Sequence, residues 1–164
     1  MKKKVIIDCD VGVDDALALI LGFHSPGLEI KAVTGVNGNV PIDTVFPNIQ
    51  KVLSLIQPPD QPVIARGASH PLKGKSFYAH SVHGEDGLGG AKTFYLHDPL
   101  AVGGVTDPEL MSKKKLALHV ETEEGERYGQ VWEVAAGKGL QNIEVCLGVN
   151  SGKFLELFLS SLED

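Results

Sequence analysis

The sequence is poor in the features that would tie it to an oxidising compartment, a membrane or a nucleic acid. Its 164 residues include two cysteines, Cys9 and Cys146, far apart and without CxxC or Cys/His spacing. That pattern reads as two reduced, buried thiols in a cytoplasmic protein. No apolar run approaches the ~18 residues of a membrane span. Lys2, Lys3 and Lys4 have the charge of a signal-peptide start, but the apolar run behind them meets Asp8 too soon to form an h-region. Basic residues are not in excess: 15 Lys and Arg stand against 21 Asp and Glu, for a net charge of -6. A basic patch for nucleic acid is therefore not expected. Internal repeats, low-complexity tracts and domain boundaries are also lacking. At 43% hydrophobic and 22% charged residues, the chain reads as one soluble domain over 1–164, large enough to bury roughly two-thirds of its unfolded surface.

What is present is an alternation of strands and helices. Residues 4–8 read as a strand whose continuous Val5-Ile6-Ile7 core suits a parallel sheet. Gly12 turns the chain into a helix over 14–23. A second strand is expected over 28–36 and a helix over 45–56, with apolar spacing at Val45, Ile49, Val52, Leu53 and Ile56. A third strand follows over 62–67. This order predicts an α/β fold: a mainly parallel Rossmann-like sheet with right-handed crossovers and helices on both faces. The glycine-rich stretch 83–98 has no clear period. Beyond it a short helix is expected to stop near Asp107-Pro108. The last third is strand-rich, over 115–121, 130–135 and 143–149, and ends in an amphipathic helix with Ser151 as its N-cap.

The stretch "VIIDCDVGVDDALAL" crowds Asp8, Asp10, Asp14 and Asp15 into eight positions after the first strand. Ligands bind outside the carboxyl ends of strands in such sheets. A helix N-terminus favours each carboxylate by only ~0.3–1 kcal/mol, too little to settle four. A hard divalent cation with six to eight oxygen ligands would settle them. The alternative from spacing alone is that Asp14 and Asp15 are capping charges and Asp8 a turn residue. The Asp8/Asp10 pair also matches the DxD of dehalogenase-type phosphatases, but the required downstream lysine and second acidic pair are missing. An EF-hand loop fails because Leu19 stands where a bidentate glutamate belongs.

The whole of "DCDVGVDDALAL" resembles the DxDxxxDDA signature of the inosine-uridine preferring nucleoside hydrolases. The resemblance continues through "GVNGNV", "VHGEDGLGG", "HDPLAVGGVTDPEL" and the carboxy-terminal "KKLALHVETE" and "NIEVCLGVNSGKFLELFL". It implies a Ca²⁺ ion held by Asp10, Asp15 and Asp98, with Asp10 also taking a proton from the attacking water. It further implies that Asp14 and Asn39 bind ribose hydroxyls, that His97 stands near the leaving base, and that His83 lines the base side of the pocket. Asp8 would support the ligands by hydrogen bonds. Taken alone, Asn39 in "NGN" reads equally as a turn residue, and His83 as a surface loop residue. The implied reaction cleaves a ribonucleoside's N-glycosidic bond through an oxocarbenium-like sugar, in nucleoside salvage, and family members tend to be homo-oligomers.

The sequence departs from the family in length. Members are commonly about twice this long, and here "HGEDGLGGAK" runs almost directly into "TFYLHDPLAV". The resemblance implies a family amino-terminal part, 1–91, joined to a carboxy-terminal part, 94–164. The skipped centre would carry a backbone carbonyl ligand and further ribose contacts. Three outcomes follow: a nucleoside hydrolase of reduced or lost activity, a non-catalytic metal- or ribose-binding protein of the same fold, or an assembly in which another chain completes the site. A homo-oligomer is expected in each case, because the missing elements leave strand edges and helix faces uncovered.

Overall fold

The computed structural model describes residues 1–89, 95–135 and 142–163. Its first half is the expected alternation: β1 (Lys3–Cys9), α1 (Val13–His24), β2 (Leu28–Gly35), α2 (Ile42–Ile56) and β3 (Val63–Arg66). The three strands form a parallel sheet in the order β1-β2-β3. Cys9 stands level with Gly35, and Gly35 with Arg66, so all three strands end on one edge. The following loops are tied there, Val36 N–H donating to the Cys9 carbonyl at 3.0 Å and Gly67 N–H to that of Gly35 at 2.7 Å. The residues that must meet a ligand therefore emerge together.

Both crossovers step in the same direction across the sheet, and right-handed connections then put both helices on the same side. The main core agrees: Leu19 of α1 and Val45, Ile49 and Val52 of α2 pack with Ile7, Cys9 and Val33 of the sheet. The opposite face is not covered among the described residues, and Ile6 is 68% and Val63 66% exposed. The α/β class and the parallel sheet stand as expected, but in this half the helices occupy one face rather than two.

A single helical turn, α3 (His80–His83), lies in the stretch that has no period in the sequence. α4 (His97–Thr106) packs along α1. A 3-10 turn, Pro108–Leu110, then leads into β4 (Met111–Val120), β5 (Val131–Val134) and β6 (Ile143–Val149). These strands form a separate antiparallel sheet in the order β5-β4-β6. α5 (Ser151–Ser160) closes a second, smaller core, in which Phe154 and Phe158 meet Leu21 and Leu110.

Two local expectations are corrected. The N-cap of α5 is Asn150, whose Oδ1 accepts the Lys153 N–H at 3.1 Å, and Ser151 is the first helical residue. Of the two free thiols, Cys9 is buried but Cys146 is exposed on β6, because that strand has little packed against it. The expected junction between 91 and 94 lies outside the described residues.

Candidate active site

Asp14 and Asp15 enter the site because α1 starts directly after the turn that follows β1. Asp15, three residues into the helix from Gly12, reaches back so that Oδ2 accepts the Gly12 N–H at 2.7 Å. Val11, fully buried, makes the turn at φ +24, a conformation that a β-branched residue adopts only under constraint. Asp98 arrives from far along the chain as the second residue of α4, which the packing of α4 on α1 brings to the same place. The carboxylates of Asp14, Asp15 and Asp98 each offer an oxygen within 4.8 Å of the others.

The three that share one point are thus Asp14, Asp15 and Asp98, whereas the expected ligand set was Asp10, Asp15 and Asp98. Asp10 stands beside the group, near enough for its charge to act on both Asp15 and Asp98. Its Oδ2 accepts the Asn39 N–H at 2.5 Å. Gly38 makes this approach possible, since a Cβ there would lie 2.0 Å from the same oxygen. Asp8 points elsewhere: Thr34 Oγ1 donates to it across to β2, on the exposed side of the sheet.

His83 is buried beside the start of α1, and its Nδ1 accepts the Val13 N–H at 3.2 Å. The same nitrogen lies 3.9 Å from Asp14 Oδ1, which is buried without a hydrogen-bond partner among the described residues. Gly12 is required here too, because a Cβ would stand 2.4 Å from His83 Nδ1 and 2.8 Å from Asn39 Nδ2. Asn39 therefore faces the same turn, with its carbonyl taken by the Ala79 N–H at 2.8 Å. His97 is near enough for its charge to act on its neighbour Asp98. Its exposed side chain borders a groove of about 690 Å³ walled by Leu100, Met111, Lys113 and Leu147.

Crowding like charges away from water has the expected electrostatic result. Burial pushes the Asp15 carboxyl up to about 8, against the Gly12 hydrogen bond, with Asp98, Asp10 and Asp14 adding to the rise. Asp98 is pushed up to about 6, first by burial and then by Asp14, while His97 opposes the shift. Three carboxylates, one of them with a buried oxygen that has no hydrogen-bond partner among the described residues, are a donor set that suits a hard, oxygen-seeking cation.

Over residues 5–95 the chain matches the model of the inosine-uridine preferring nucleoside hydrolases. The chain belongs to this family. Among curated relatives, the pyrimidine-specific ribonucleoside hydrolase RihA of Salmonella schwarzengrund is 45% identical over 114 residues, 69% of this chain and 35% of that protein. RihA of Salmonella enteritidis is 44% identical over the same length. The chain thus spans about a third of the length of the curated relatives it matches. Among solved structures, a plant nucleoside hydrolase, PpNRh1, superposes with a TM-score of 0.87 at 17% identity, over 99% of each chain. A purine-preferring ribonucleoside hydrolase from Gardnerella vaginalis gives 0.85 at 16%, over 98% of each. At such identities these likenesses establish the nucleoside hydrolase fold.

Sequence reasoning missed the convergence of Asp14 with Asp15 and Asp98, and the roles of Val11 and Gly38. The glycine in "NGN" is a visible signal for the last, because glycine between two polar residues marks close backbone approach as well as a turn.

Proposed function

We propose that the chain is a ribonucleoside N-glycosidase, using water to release ribose and a purine or pyrimidine base. Beyond family membership, the observation that carries this reading is the meeting of Asp14, Asp15 and Asp98, with Asp14 Oδ1 buried and unpaired among the described residues. Ca²⁺, held by Asp15 and Asp98 with Asp10 at their side, would supply an acidified water and a hold on the sugar's hydroxyls. Asp10, fixed by the Asn39 N–H, accepts the water's proton. Asp14 and Asn39 hold the ribose hydroxyls as positive charge builds on the sugar. His83 walls the base side of the site, and His97 gives a proton to the departing base.

A second reading, a non-catalytic metal- or ribose-binding protein of the same fold, is favoured by the exposure of the His97 side chain to solvent. It also fits the view that a family amino-terminal part, 1–91, joins a carboxy-terminal part, 94–164, without the centre. The two are separated by a ribose-release assay on inosine and uridine with added Ca²⁺. Release that is abolished by Asp10→Asn supports the hydrolase, whereas Ca²⁺ binding with no release supports the binding protein.

The protein is further proposed to be a cytoplasmic homo-oligomer. Among the described residues no helix is long and apolar enough to cross a membrane, and Ile6, Val63, Tyr95 and Leu147 leave large apolar surface in water. Association burying over ~1,000 Å², with its contact next to residues 90–96, would cover such surface. Light scattering over a dilution series tests it, and a stable monomer would refute it.

A further inference from the structure

We propose that Tyr95 is a positioning residue for His97, its ring fixing the plane in which the imidazole meets the departing base. The proposal rests on the hydrolase reading for the reaction it serves. Among the described residues the rings of His97 and His119 take no hydrogen bond, whereas a ring nitrogen of His24, His70, His80 and His83 each has a partner. His119 is instead placed against the Trp132 ring, with centroids 4.7 Å apart. An imidazole with no such anchor at a helix start samples several rotamers, and few of them aim a nitrogen at a given leaving group.

Tyr95 supplies the missing constraint. Its ring lies against His97 with centroids 5.2 Å apart and planes 7° from parallel, within the range of an offset stack. The backbone between them is pinned. Leu96 packs on the cluster of Leu21, Leu110 and Phe154, and its carbonyl accepts the Leu100 N–H at 3.1 Å. Tyr95 is itself 77% exposed, so its ring is not held for the sake of the core. Among the described residues its aromatic neighbour is the imidazole.

Two measurements on the full chain test this. In NMR spectra with labelled histidine, assigned with His97→Gln, the His97 ring protons should be shifted upfield by the tyrosine ring current. Tyr95→Phe should keep that shift and Tyr95→Ala should remove it. In ribose release, Tyr95→Ala should lower kcat about two- to tenfold with KM little changed, and Tyr95→Phe should restore it. Identical His97 signals in wild type and Tyr95→Ala would overturn the proposal. So would a lost stack with unchanged kcat, or a failure of phenylalanine to rescue, which would assign the effect to the hydroxyl. A wild-type chain that shows the stack but releases no ribose would refute the hydrolase reading instead, and with it the catalytic purpose assigned to the stack.

Discussion

Replacing Asp15 by asparagine should stabilise the metal-free protein at alkaline pH while destroying its capacity for a cation. Asp15 is 5% exposed and its carboxyl is pushed up to about 8 by burial and by Asp98, Asp10 and Asp14. In the unfolded chain the same group titrates near ~3.9. Below that pH both states hold the proton and Asp15 contributes no pH dependence. Above it the unfolded chain releases its proton while the folded one retains it, so stability falls by up to ~1.4 kcal/mol per pH unit until the folded group ionises near 8. Asp98, raised to about 6, adds to the slope only in the lower part of this range. From pH 6 to 8 the decline belongs mainly to Asp15 and should amount to about 2 kcal/mol after allowance for water penetration. Asparagine keeps the shape and an oxygen for the Gly12 N–H, and it has no charge to bury. Urea melts at several pH values, with chelator and with Ca²⁺, are the assay. The wild type should lose stability from pH 6 to 8 in chelator and regain it with Ca²⁺. Asp15→Asn should be flat over that window and indifferent to the ion. Wild-type stability that stays level or rises with pH in chelator would refute the reasoning.

Gly38→Ala should displace the Asp10 carboxylate, because the new methyl would overlap its Oδ2, Cγ and Cβ. A loss of ~1–3 kcal/mol in thermal or urea melts is expected, together with a fall in ribose release out of proportion to that loss. Asn150→Ala removes the cap on the Lys153 N–H and should cost ~1 kcal/mol in urea melts without altering cation affinity. Phe154→Ala should cost ~3–5 kcal/mol, read by thermal melting, since its ring is buried among Leu21, Leu110 and Phe158. Exhaustive dialysis should strip Ca²⁺ from the chain, and calorimetric titration should show weak binding. Sub-micromolar affinity in a monomer would mean that the centre present in longer relatives adds little to the site.

The first half of the fold was legible because its signals are periodic. The Val5-Ile6-Ile7 run and the apolar spacing from Val45 to Ile56 each match one element of the structure. What was not legible is what period and spacing do not encode. Asp8 and Asp10 look equivalent in the sequence, but alternation along β1 turns Asp8 to Thr34 on the exposed side of the sheet. The turn at Val11 then sets Asp10 beside the carboxylates rather than among them. His97 and Asp98 look like a pair, but successive residues on a helix point about 100° apart, and they face different surroundings. α3 was hidden because a helix of four residues leaves no room for a repeat. The single-sided packing of α1 and α2 depends on strand order, which no local pattern gives.

The meeting of Asp15 with Asp98 has a mechanical consequence as well as a chemical one. These residues begin helices from distant parts of the chain, and everything from 16 to 97 lies in the loop between them. A cation gripped by both would act as a removable cross-link, favouring the closed loop over opened states that have no site for the ion. Without the ion, the same contact is a repulsion between two carboxyls that open the loop as they ionise. Protease resistance of the glycine-rich stretch near residue 84 should therefore rise with added Ca²⁺ and fall with pH in its absence, making the ion a clasp between the two parts of the molecule.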